Sequence, residues 1–445
     1  MVIYDLRAQE FIYSHQANHY FTPASTLKLY TSYAALSYLG EHYTYQTTLK
    51  FDPTKINASG LLNGDVVLSF SGDPSFSYLQ LTQLLSVLNH KGVRQINGKI
   101  LIENHGFTLP YESPGATWDT WSYYPPVASI ILNQNKIPVK LQPSTKVNQP
   151  CLASIISDNK EHAQIILTHN ITTVSSEQAE QSCSLEALVR IDNSIHLSGC
   201  WPINQPNFIQ NISVASPEKA LTKQILILLK SWSIHYPNQK LYFTKNDATK
   251  LNTDLIASKN IATISSLPLA QLLKVILGDS DNLYADSLHK KLGETYFGIG
   301  SYAYGVKAQH AILAKLAIPI ELTHHYDGSG VSRYNLITPN QLVHLLSQIY
   351  QDKKNYPAIL NALPVAGISG TLKNRFNSPQ TSICREQLHA KTGTLKNMSA
   401  LAGYLTLSPT QHYAFALMIQ GDSNKTKALK QKEDILLSEI TQILS

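Results

Sequence analysis

The chain has 445 residues, enough for two or three domains, and 43% of them are hydrophobic while 15% are charged. This balance is typical of a folded globular protein. The net charge is only +6, and basic runs interleaved with aromatic residues are absent, so we expect no nucleic-acid partner. No stretch approaches the roughly 18 uninterrupted apolar residues of a spanning helix, so no integral membrane segment is expected.

The first predicted element is a β-hairpin that begins almost at the first residue. Residues 2–6 (Val-Ile-Tyr-Asp-Leu) and 11–13 (Phe-Ile-Tyr) are rich in β-forming residues, and a polar turn separates them. The sequence shows no signal peptide before this hairpin. We therefore expect that an upstream segment is missing from the sequence.

The chain is organised around residues 23–28, Pro-Ala-Ser-Thr-Leu-Lys, at the start of a predicted buried helix. A mostly apolar run without Gly or Pro extends from Leu27 to Leu39. Ser25 is expected in the first turn, and Lys28 shares its face of the helix. The helix N-terminus favours an alkoxide, and burial lets a lysine lose its proton near neutral pH. The pair therefore has the chemistry of a nucleophile with its own base.

The Ser-x-x-Lys pattern is weak evidence on its own. It recurs at Ser157–Lys160, Ser216–Lys219 and Ser287–Lys290. A turn, a helix cap and a solvated helix face are the simpler interpretations of these three copies. Helix capping is therefore a real alternative for Ser25 until other motifs are counted.

The middle of the chain is predicted to be rich in β-structure. Residues 65–70 and 96–102 have strand character, and residues 151–213 alternate short strands with polar turns. Cys183 and Cys200 flank one of these short segments. A disulfide between them would contribute about 3 kcal/mol, and two free thiols are the alternative.

From residue 216 onward the predicted elements are mainly helical. In chain order they are helices at 221–229, 269–277 and 282–292, a hairpin at 401–407 and 413–419, and an amphipathic helix at 428–444. Strands therefore lie at both ends of the chain. We expect the terminal strands to pair in one sheet, with the closing helix over it and the middle of the chain inserted.

A second motif occupies residues 278–282, Gly-Asp-Ser-Asp-Asn, between two predicted helices. From this turn the Ser280 hydroxyl would relay a proton, and the Asn282 amide would hold a substrate carbonyl. An N-cap for the helix that starts at Asn282 is the structural alternative.

A third motif, residues 391–394 (Lys-Thr-Gly-Thr), precedes the terminal hairpin. On an edge strand, Lys391 and Thr392 would supply a cation and a hydroxyl for a carboxylate. Gly393 would let a ligand approach the backbone. The backbone N–H groups of Thr394 and Ser25 would then form an oxyanion hole. A plain polar strand start is the alternative.

Ser-x-x-Lys, Ser-Asp-Asn and Lys-Thr-Gly together form the motif set of class A β-lactamases and penicillin-binding proteins. The whole chain resembles the low-molecular-mass penicillin-binding proteins of the D-Ala-D-Ala carboxypeptidase/endopeptidase type, the S13 peptidases. The matching stretches follow the family's order over nearly the full length: Pro23–Lys28, Gly72–Pro74, Ser280–Asn282 with Tyr284-Ala285, Asp327–Gly330 with Ser332-Arg333, Gly370–Leu372 and Lys391–Gly393.

The resemblance implies an α/β (α+β) fold with a penicillin-binding/β-lactamase-like transpeptidase core. In that core, helices flank an antiparallel sheet, and β-rich domains are inserted into it. We place the discontinuous catalytic domain at residues 1–45 and 214–445. The inserted region is then 46–213, as two small β-rich domains, one of them at about 73–135.

The resemblance also implies a serine D-Ala-D-Ala carboxypeptidase/endopeptidase that acts on peptidoglycan stem peptides and is inhibited by β-lactam antibiotics. Ser25 would attack the D-Ala-D-Ala carbonyl, and Lys28 would take its proton. Ser280 would relay a proton to the leaving D-Ala. Water would then release the acyl group, and a penicillin would leave Ser25 slowly.

The remaining site residues implied by the resemblance bind the substrate. Asn282 would orient its amide, Lys391 and Thr392 would bind its terminal carboxylate, and Thr394 would contribute to the oxyanion hole. Arg333, in a Gly-rich turn that is otherwise structural, is a further candidate for a substrate carboxylate.

A β-lactamase is the nearest alternative. A class A enzyme uses a glutamate to activate the deacylating water, normally in a Glu-x-x-x-Asn loop between the second and third motifs. Glu294, Glu321 and Glu386 lie in that interval, and none has Asn four residues later. A non-catalytic cell-wall binding or sensor protein is the alternative from another class, but it would usually have lost one of the motif residues.

The sequence predicts no cofactor and no metal site, because no cluster has metal-ligand spacing. The resemblance implies an exported protein of the periplasm. Trp118 and Tyr123, in an aromatic cluster of the insertion, are candidates either for a small core or for the wall of the cleft.

Overall fold

A computed structural model of the protein describes residues 1–104, 106–114, 124–156, 165–244, 259–421 and 426–445. The chain forms two compact units. The first comprises Met1–Thr44, Phe107–Ala116 and Leu267–Ser445, and the second comprises Tyr45–Gly106 and Thr117–Ser266. The aromatic residues Trp118 and Tyr123 lie outside the described residues.

The helices and strands of the described residues are numbered here in chain order. The helices are α1 (Lys28–Leu39), α2 (Tyr78–His90), α3 (Ser176–Ser182), α4 (Pro217–Ser231), α5 (Leu269–Leu273), α6 (Asn282–Phe297), α7 (Tyr302–Lys315), α8 (Pro339–Gln351), α9 (Tyr356–Ala362) and α10 (Thr426–Leu444). The strands are β1 (Val2–Asp5), β2 (Glu10–Ser14), β3 (Gln46–Phe51), β4 (Leu61–Leu62), β5 (Val66–Ser69), β6 (Gln95–Ile96), β7 (Ile100–Glu103), β8 (Lys136–Gln142), β9 (Leu152–Ile155), β10 (Leu167–Val174), β11 (Leu185–Val189), β12 (Ile195–Pro202), β13 (Phe208–Ser213), β14 (Leu241–Thr244), β15 (Lys259–Ser265), β16 (Leu388–Leu395), β17 (Met398–Ser408) and β18 (Gln411–Gln420). In these described stretches, none of the helices has the length and apolarity needed to cross a bilayer.

The first unit is built on a five-stranded sheet in the order β16-β17-β18-β1-β2. Every neighbouring pair is antiparallel, and Val2 on β1 lies opposite Ala416 on β18. The predicted N-terminal hairpin and the pairing of strands from both ends of the chain are therefore confirmed. The 11-residue strand β17 is buried over most of its length because helices cover both faces of the sheet.

Helix α10 is amphipathic and covers one face of this sheet, as the sequence predicted. Leu437 on α10 shares a buried core with Leu401 on β17 and Phe415 on β18. An ion pair fixes the helix at its middle, because the Arg375 guanidinium lies 2.9 Å from the buried Glu433 carboxylate. On the other face, the Tyr404 hydroxyl of β17 donates a hydrogen bond to the Leu346 carbonyl of α8 at 2.9 Å.

The second unit is rich in β-structure. A five-stranded sheet in the order β14-β7-β5-β3-β15 packs against α2 and α4 through one apolar core. Two three-stranded sheets, β10-β12-β11 and β13-β8-β9, share a second core. Cys183 and Cys200 form a disulfide with a Cα–Cα distance of 5.5 Å. The bridge joins the end of α3 to β12.

The two units differ from the predicted domain bounds in two places. Residues 107–116 group with the first unit, whereas the prediction placed them in the insertion, 46–213. Residues 214–266 group with the second unit, since Leu221 and Ile225 of α4 enter its apolar core. The bounds of the catalytic domain and of two inserted domains stay predictions.

One local prediction was wrong. The stretch Ser287–Lys290 was expected to lie on a solvated helix face, but it is fully buried inside α6. Helix α6 is packed against both α1 and α7, so most of its circumference is covered. The capping interpretation at Ser216 is confirmed, because its hydroxyl accepts a hydrogen bond from the Lys219 N–H at 3.3 Å. Ser157–Lys160 lies outside the described residues.

Candidate active site

Ser25 lies in a tight 3-10 turn, Ala24–Leu27, that runs directly into α1. The sequence placed Ser25 in the first turn of the α-helix, so the structure moves it into the turn before. Ala24 has φ +48, a left-handed conformation that residues with a Cβ rarely adopt. Such conformations are concentrated at functional sites. The turn leaves Ser25 partly exposed, while Thr26, Leu27 and α1 behind it are buried.

Lys28 is fully buried at the start of α1. Its Nζ contacts three oxygens: Ser25 Oγ at 2.9 Å, Asn282 Oδ1 at 2.7 Å and the Ser329 carbonyl at 2.7 Å. An ammonium has three N–H donors, so these acceptors satisfy it completely. Burial lowers the pKa of Lys28 to about 8. The predicted pairing of Ser25 with Lys28 is therefore present, with an amine that can lose its proton near neutral pH.

The Ser-Asp-Asn motif lies in the turn that leads into α6. Asp281 is the N-cap of the helix, and its carboxylate accepts a hydrogen bond from the Tyr284 N–H at 3.0 Å. Ser280 has φ +64, again in the left-handed region. Asn282 is the first helical residue and reaches Lys28. The capping alternative is thus correct for Asp281, and it leaves Ser280 and Asn282 available to the site.

The Lys-Thr-Gly motif lies on β16, which is an edge strand of the sheet. The condition for its expected carboxylate-binding role is therefore met. Lys391 is fully buried, and its Nζ donates to Ser280 Oγ and to the Thr392 carbonyl, both at 2.7 Å. Burial, and then the charge of Lys28, hold the pKa of Lys391 well below its usual value. The Thr392 hydroxyl donates to Thr371 Oγ1 at 2.8 Å.

Close backbone packing brings β16 against the Ser25 turn. A Cβ on Gly393 would lie 2.7 Å from the Pro23 carbonyl oxygen and 3.1 Å from the Ala24 Cβ. Only glycine therefore allows the strand to approach this closely. Thr394 follows Gly393, is exposed, and pairs with Ser399 on β17.

A buried carboxylate organises the loop that reaches Lys28 from the other side. Asp327 accepts hydrogen bonds from Ser113 Oγ, the Gly330 N–H, the Ser332 N–H and Asn335 Nδ2, at 2.7 to 2.9 Å. Three of these donors belong to the Gly-rich turn itself, so Asp327 holds the loop that carries the Ser329 carbonyl. The structural interpretation of Asp327 was correct, but its effect on the Lys28 environment was not predicted.

The described hydrogen bonds join the predicted site residues in two groups: Ser25, Lys28 and Asn282 in one, and Ser280, Lys391 and Thr392 in the other. Arg333 is exposed, and its Nη1 and Nη2 both donate to the Lys396 carbonyl at 3.3 Å. It therefore lies at the turn between β16 and β17, outside both groups.

Three residues around the site were not assigned roles from the sequence. They are Ser329, which acts through its carbonyl, Thr371, which bonds to Thr392, and Asp286, whose Oδ1 accepts the Gly328 N–H at 2.8 Å. The sequence could have pointed to Thr371, because it belongs to Gly370–Leu372, one of the stretches that carry the family resemblance. It could not have pointed to Ser329, because that residue acts through a backbone carbonyl, which every residue has.

A serine–lysine pair at the junction of a 3-10 turn and a helix, beside the edge of an antiparallel sheet and with the second and third motifs around it, defines a serine enzyme of the penicillin-binding class. The chain belongs to the D-Ala-D-Ala carboxypeptidase 3 (S13) family, whose family model matches residues 1–441. The predicted family, the fold class and the enzyme class of serine-type D-Ala-D-Ala carboxypeptidase are therefore confirmed.

Individual relatives are similar over almost the whole chain. The D-alanyl-D-alanine carboxypeptidase DacB of Haemophilus influenzae is 26% identical over 96% of this chain and 86% of its own length. The crystal structure of penicillin binding protein 4 from the same organism superposes with a TM-score of 0.85 at 25% identity, covering 99% of this chain and 95% of that one. The same Haemophilus protein in complex with a β-lactam gives a TM-score of 0.80, with the same identity and coverage.

Proposed function

We propose that this chain cleaves D-Ala-D-Ala ends and cross-links of peptidoglycan stem peptides through an acyl-enzyme on Ser25. The observation that carries the proposal is the 2.9 Å contact between Lys28 Nζ and Ser25 Oγ. The amine is buried, and its pKa of about 8 is lowered by desolvation, so a neutral base is accessible near neutral pH. Helix capping does not explain the pair, because α1 has no side-chain cap.

In the acylation step, Ser25 Oγ attacks the carbonyl carbon of the penultimate D-Ala, and Lys28 Nζ accepts the hydroxyl proton. Asn282, which bonds to Lys28 through Oδ1, has an amide N–H₂ group left to orient the substrate carbonyl. The backbone N–H groups of Ser25 and Thr394 receive the oxyanion. Losing one such donor typically costs about 10²–10³ in rate.

Ser280, Lys391 and Thr392 act on the D-Ala residue that leaves. Ser280 Oγ, 2.7 Å from Lys391 Nζ, relays a proton to the departing D-Ala amine. Lys391 and Thr392 bind the terminal carboxylate, with the Thr392 hydroxyl oriented by Thr371. Arg333 is a further candidate for a carboxylate of the stem peptide, because its exposed guanidinium lies at the turn beside β16. Water completes the cycle by releasing the acyl group from Ser25.

β-Lactams present a strained amide and a carboxylate to the same groups, so we propose that they acylate Ser25 and leave slowly. The Haemophilus penicillin binding protein 4 in complex with a β-lactam supports this. We propose that the protein acts in the periplasm, where peptidoglycan stem peptides are accessible. The disulfide between Cys183 and Cys200 supports an oxidising compartment.

The test is intact-mass spectrometry after incubation with penicillin, on the wild type and on Ser25→Ala. We expect one stable adduct with the mass of one penicillin on the wild type and none on the variant. Ser216→Ala is the matched control, because Ser216 belongs to another Ser-x-x-Lys copy and caps α4. Its adduct should equal that of the wild type.

Two results would contradict the proposal. An adduct that persists in Ser25→Ala would place the nucleophile elsewhere. A folded wild type without an adduct would be a rapidly deacylating β-lactamase if penicillin is consumed, and a non-catalytic cell-wall binding protein if it is not.

A further inference from the structure

Asp286 is a fully buried carboxylate on α6, one turn after Asn282. Residues four apart on a helix share a face, so Asp286 lies on the side of α6 from which Asn282 reaches Lys28. Its Oδ1 accepts the Gly328 N–H at 2.8 Å. The next residue, Ser329, places its carbonyl 2.7 Å from Lys28 Nζ. Asp286 is therefore linked to Lys28 along the helix and through the loop.

Helix α1 also contacts the loop that carries Gly328 and Ser329. Its Thr31 hydroxyl donates to the Gly328 carbonyl at 2.8 Å. Gly328 is thus held on both sides of its Cα: its N–H donates to Asp286, and its carbonyl accepts from Thr31, three residues after Lys28. A Cβ at Gly328 would lie 2.8 Å from the Ala285 carbonyl oxygen, so the loop is in direct contact with α6. The Ser329 carbonyl has little freedom to leave Lys28.

The charges around Lys28 come from three elements. Burial lowers its pKa, and the carboxylates of Asp286, Asp327 and Asp281 raise it, with Asp286 the largest of the three. Asp286 and Asp281 belong to α6 and its N-cap, and Asp327 belongs to the loop. On β16, Lys391 is the cation that experiences the charge of Lys28. Asp286 is thus the main opposing influence to desolvation.

Asp286 also faces groups on its other side. Lys290 lies one turn further along α6, where burial lowers its pKa to about 7 while Asp286 and Glu112 raise it. Tyr302 at the start of α7 hydrogen-bonds to Asp286, although burial is the first cause of its raised pKa. The carboxylate therefore lies between two buried amines, one in the candidate site and one outside it.

We propose that Asp286 is a positioning residue that fixes the Gly328–Ser329 backbone against Lys28 and supplies the negative charge on which Lys28 becomes an ammonium. This inference rests on the proposed function of Lys28 as the base. In the attack that begins acylation, the Ser25 O–H bond breaks, the Oγ–carbon bond forms, the carbonyl electron pair moves to its oxygen, and the proton moves to Lys28 Nζ. Collapse of this tetrahedral adduct then breaks the amide C–N bond, and the leaving nitrogen takes a proton. Asp286 takes no proton. It stabilises the cation that the transfer to Lys28 creates, as a fixed charge in a water-excluded site does for a developing charge.

The variant Asp286→Asn tests the negative charge of Asp286 separately from the hydrogen bond that its side chain accepts. The asparagine Oδ1 can still accept the Gly328 N–H, and its N–H₂ group can donate to the Tyr302 hydroxyl. The same change at Asp327 is less clean, because each of its oxygens accepts an N–H and an amide would oppose one of them. Asp286→Asn therefore removes the charge and keeps an acceptor for the Gly328 N–H.

The experiment measures the rate constant of penicillin acylation against pH for the wild type and Asp286→Asn. Removing the carboxylate lowers the pKa of Lys28, so the neutral base persists to lower pH. In the plot of acylation rate constant against pH, the acid limb is the range in which the rate falls as Lys28 becomes protonated, and we expect it to move down by about one pH unit. We expect the plateau rate at higher pH to fall up to roughly tenfold, because Lys28 becomes a weaker base and its ammonium form loses the counter-charge of Asp286. A merely structural role would lower the rate at every pH and leave the limb in place.

Glu294→Gln is the matched control. It removes the same charge from the same helix, eight residues further along, which is about 12 Å away. Its limb should coincide with that of the wild type. An Asp286→Asn limb that also coincides would overturn the inference while leaving the acyl-enzyme intact. A wild type that forms no adduct would instead overturn the proposed function.

A second variant decides the matter if Asp286→Asn does not fold. Asp286→Ala, purified in formate, leaves room for a small anion beside Gly328. We expect formate to restore the acylation rate and the position of the limb, and neutral formamide to restore neither. Equal effects of formate and formamide would contradict an electrostatic role.

Discussion

Replacing Lys28 by Met is expected to slow the acylation of Ser25 by roughly 10³-fold, which is within the range that a positioned general base contributes. Methionine is similar in length to lysine and apolar, so it fills the buried space without an amine. Ser25 Oγ then loses its partner at 2.9 Å. The Asn282 side chain and the Ser329 carbonyl lose the same donor. The measurement is the time course of the penicillin adduct by intact mass.

Lys291→Met is the control for the loss of a buried lysine. Lys291 lies on α6, is almost fully buried, and pairs with Glu294. It has no described contact with Ser25 or Lys28. We expect it to acylate at the wild-type rate. If Lys28→Met acylates within tenfold of the wild type, another group must remove the Ser25 proton.

Replacing Gly330 by Ala is expected to reduce both stability and acylation strongly. A Cβ there would lie 1.9 Å from the Ala24 carbonyl oxygen and 3.1 Å from the Ser25 nitrogen. These are backbone atoms of the turn that holds the nucleophile, so the turn or the loop must shift. We expect a loss of about 3 kcal/mol or more in unfolding free energy. A displacement of the order of 1 Å would slow acylation by about 10²-fold.

Gly298→Ala isolates the contribution of backbone conformation. Gly298 ends α6 with φ +77, close to the φ +85 of Gly330, but a Cβ there would meet no atom within 4 Å. The strain alone should cost about 1 kcal/mol, with no change in acylation. Urea unfolding and adduct formation would be measured for both variants. Equal losses would mean that the contact between Gly330 and the Ser25 turn is unimportant.

The sequence was sufficient to predict those parts of the site that depend only on the types of side chain and on their spacing along the chain. Ser25 and Lys28 are three residues apart, so the helical repeat alone brings them together. The Lys391–Thr394 motif could be recognised before the terminal hairpin, but the edge position of its strand was only a condition of its expected role, and the structure supplies it. The further Ser-x-x-Lys copy at Ser216 could be interpreted as a helix cap, because Pro217 follows it at the first helical position.

The relations between distant segments were not predictable from one sequence. Lys28 and Ser329 are 301 residues apart, and the contact uses a carbonyl that every residue possesses. Asp286 appeared only as an ordinary polar residue of a helix, because its burial depends on α1 and α7 packing around α6. For the same reason Ser287–Lys290 was assigned to solvent.

Composition also does not decide which sheet a helix covers. Residues 214–266 begin with a helix and follow the β-rich block, and the predicted domain bounds, which stay a prediction, group them with the helical part of the chain. In the structure, α4 packs on α2 and the sheet of the second unit. Which sheet an amphipathic helix covers is a tertiary choice, and its apolar face is equally compatible with either.

The most direct test of the account is the release of D-Ala from a stem peptide that ends in D-Ala-D-Ala, by the wild type and by Ser25→Ala. We expect steady release by the wild type, and none by the variant above the uncatalysed rate, with both proteins equally folded by circular dichroism. Release that continues in Ser25→Ala, or a folded wild type that binds penicillin covalently yet never releases D-Ala, would contradict the central claim.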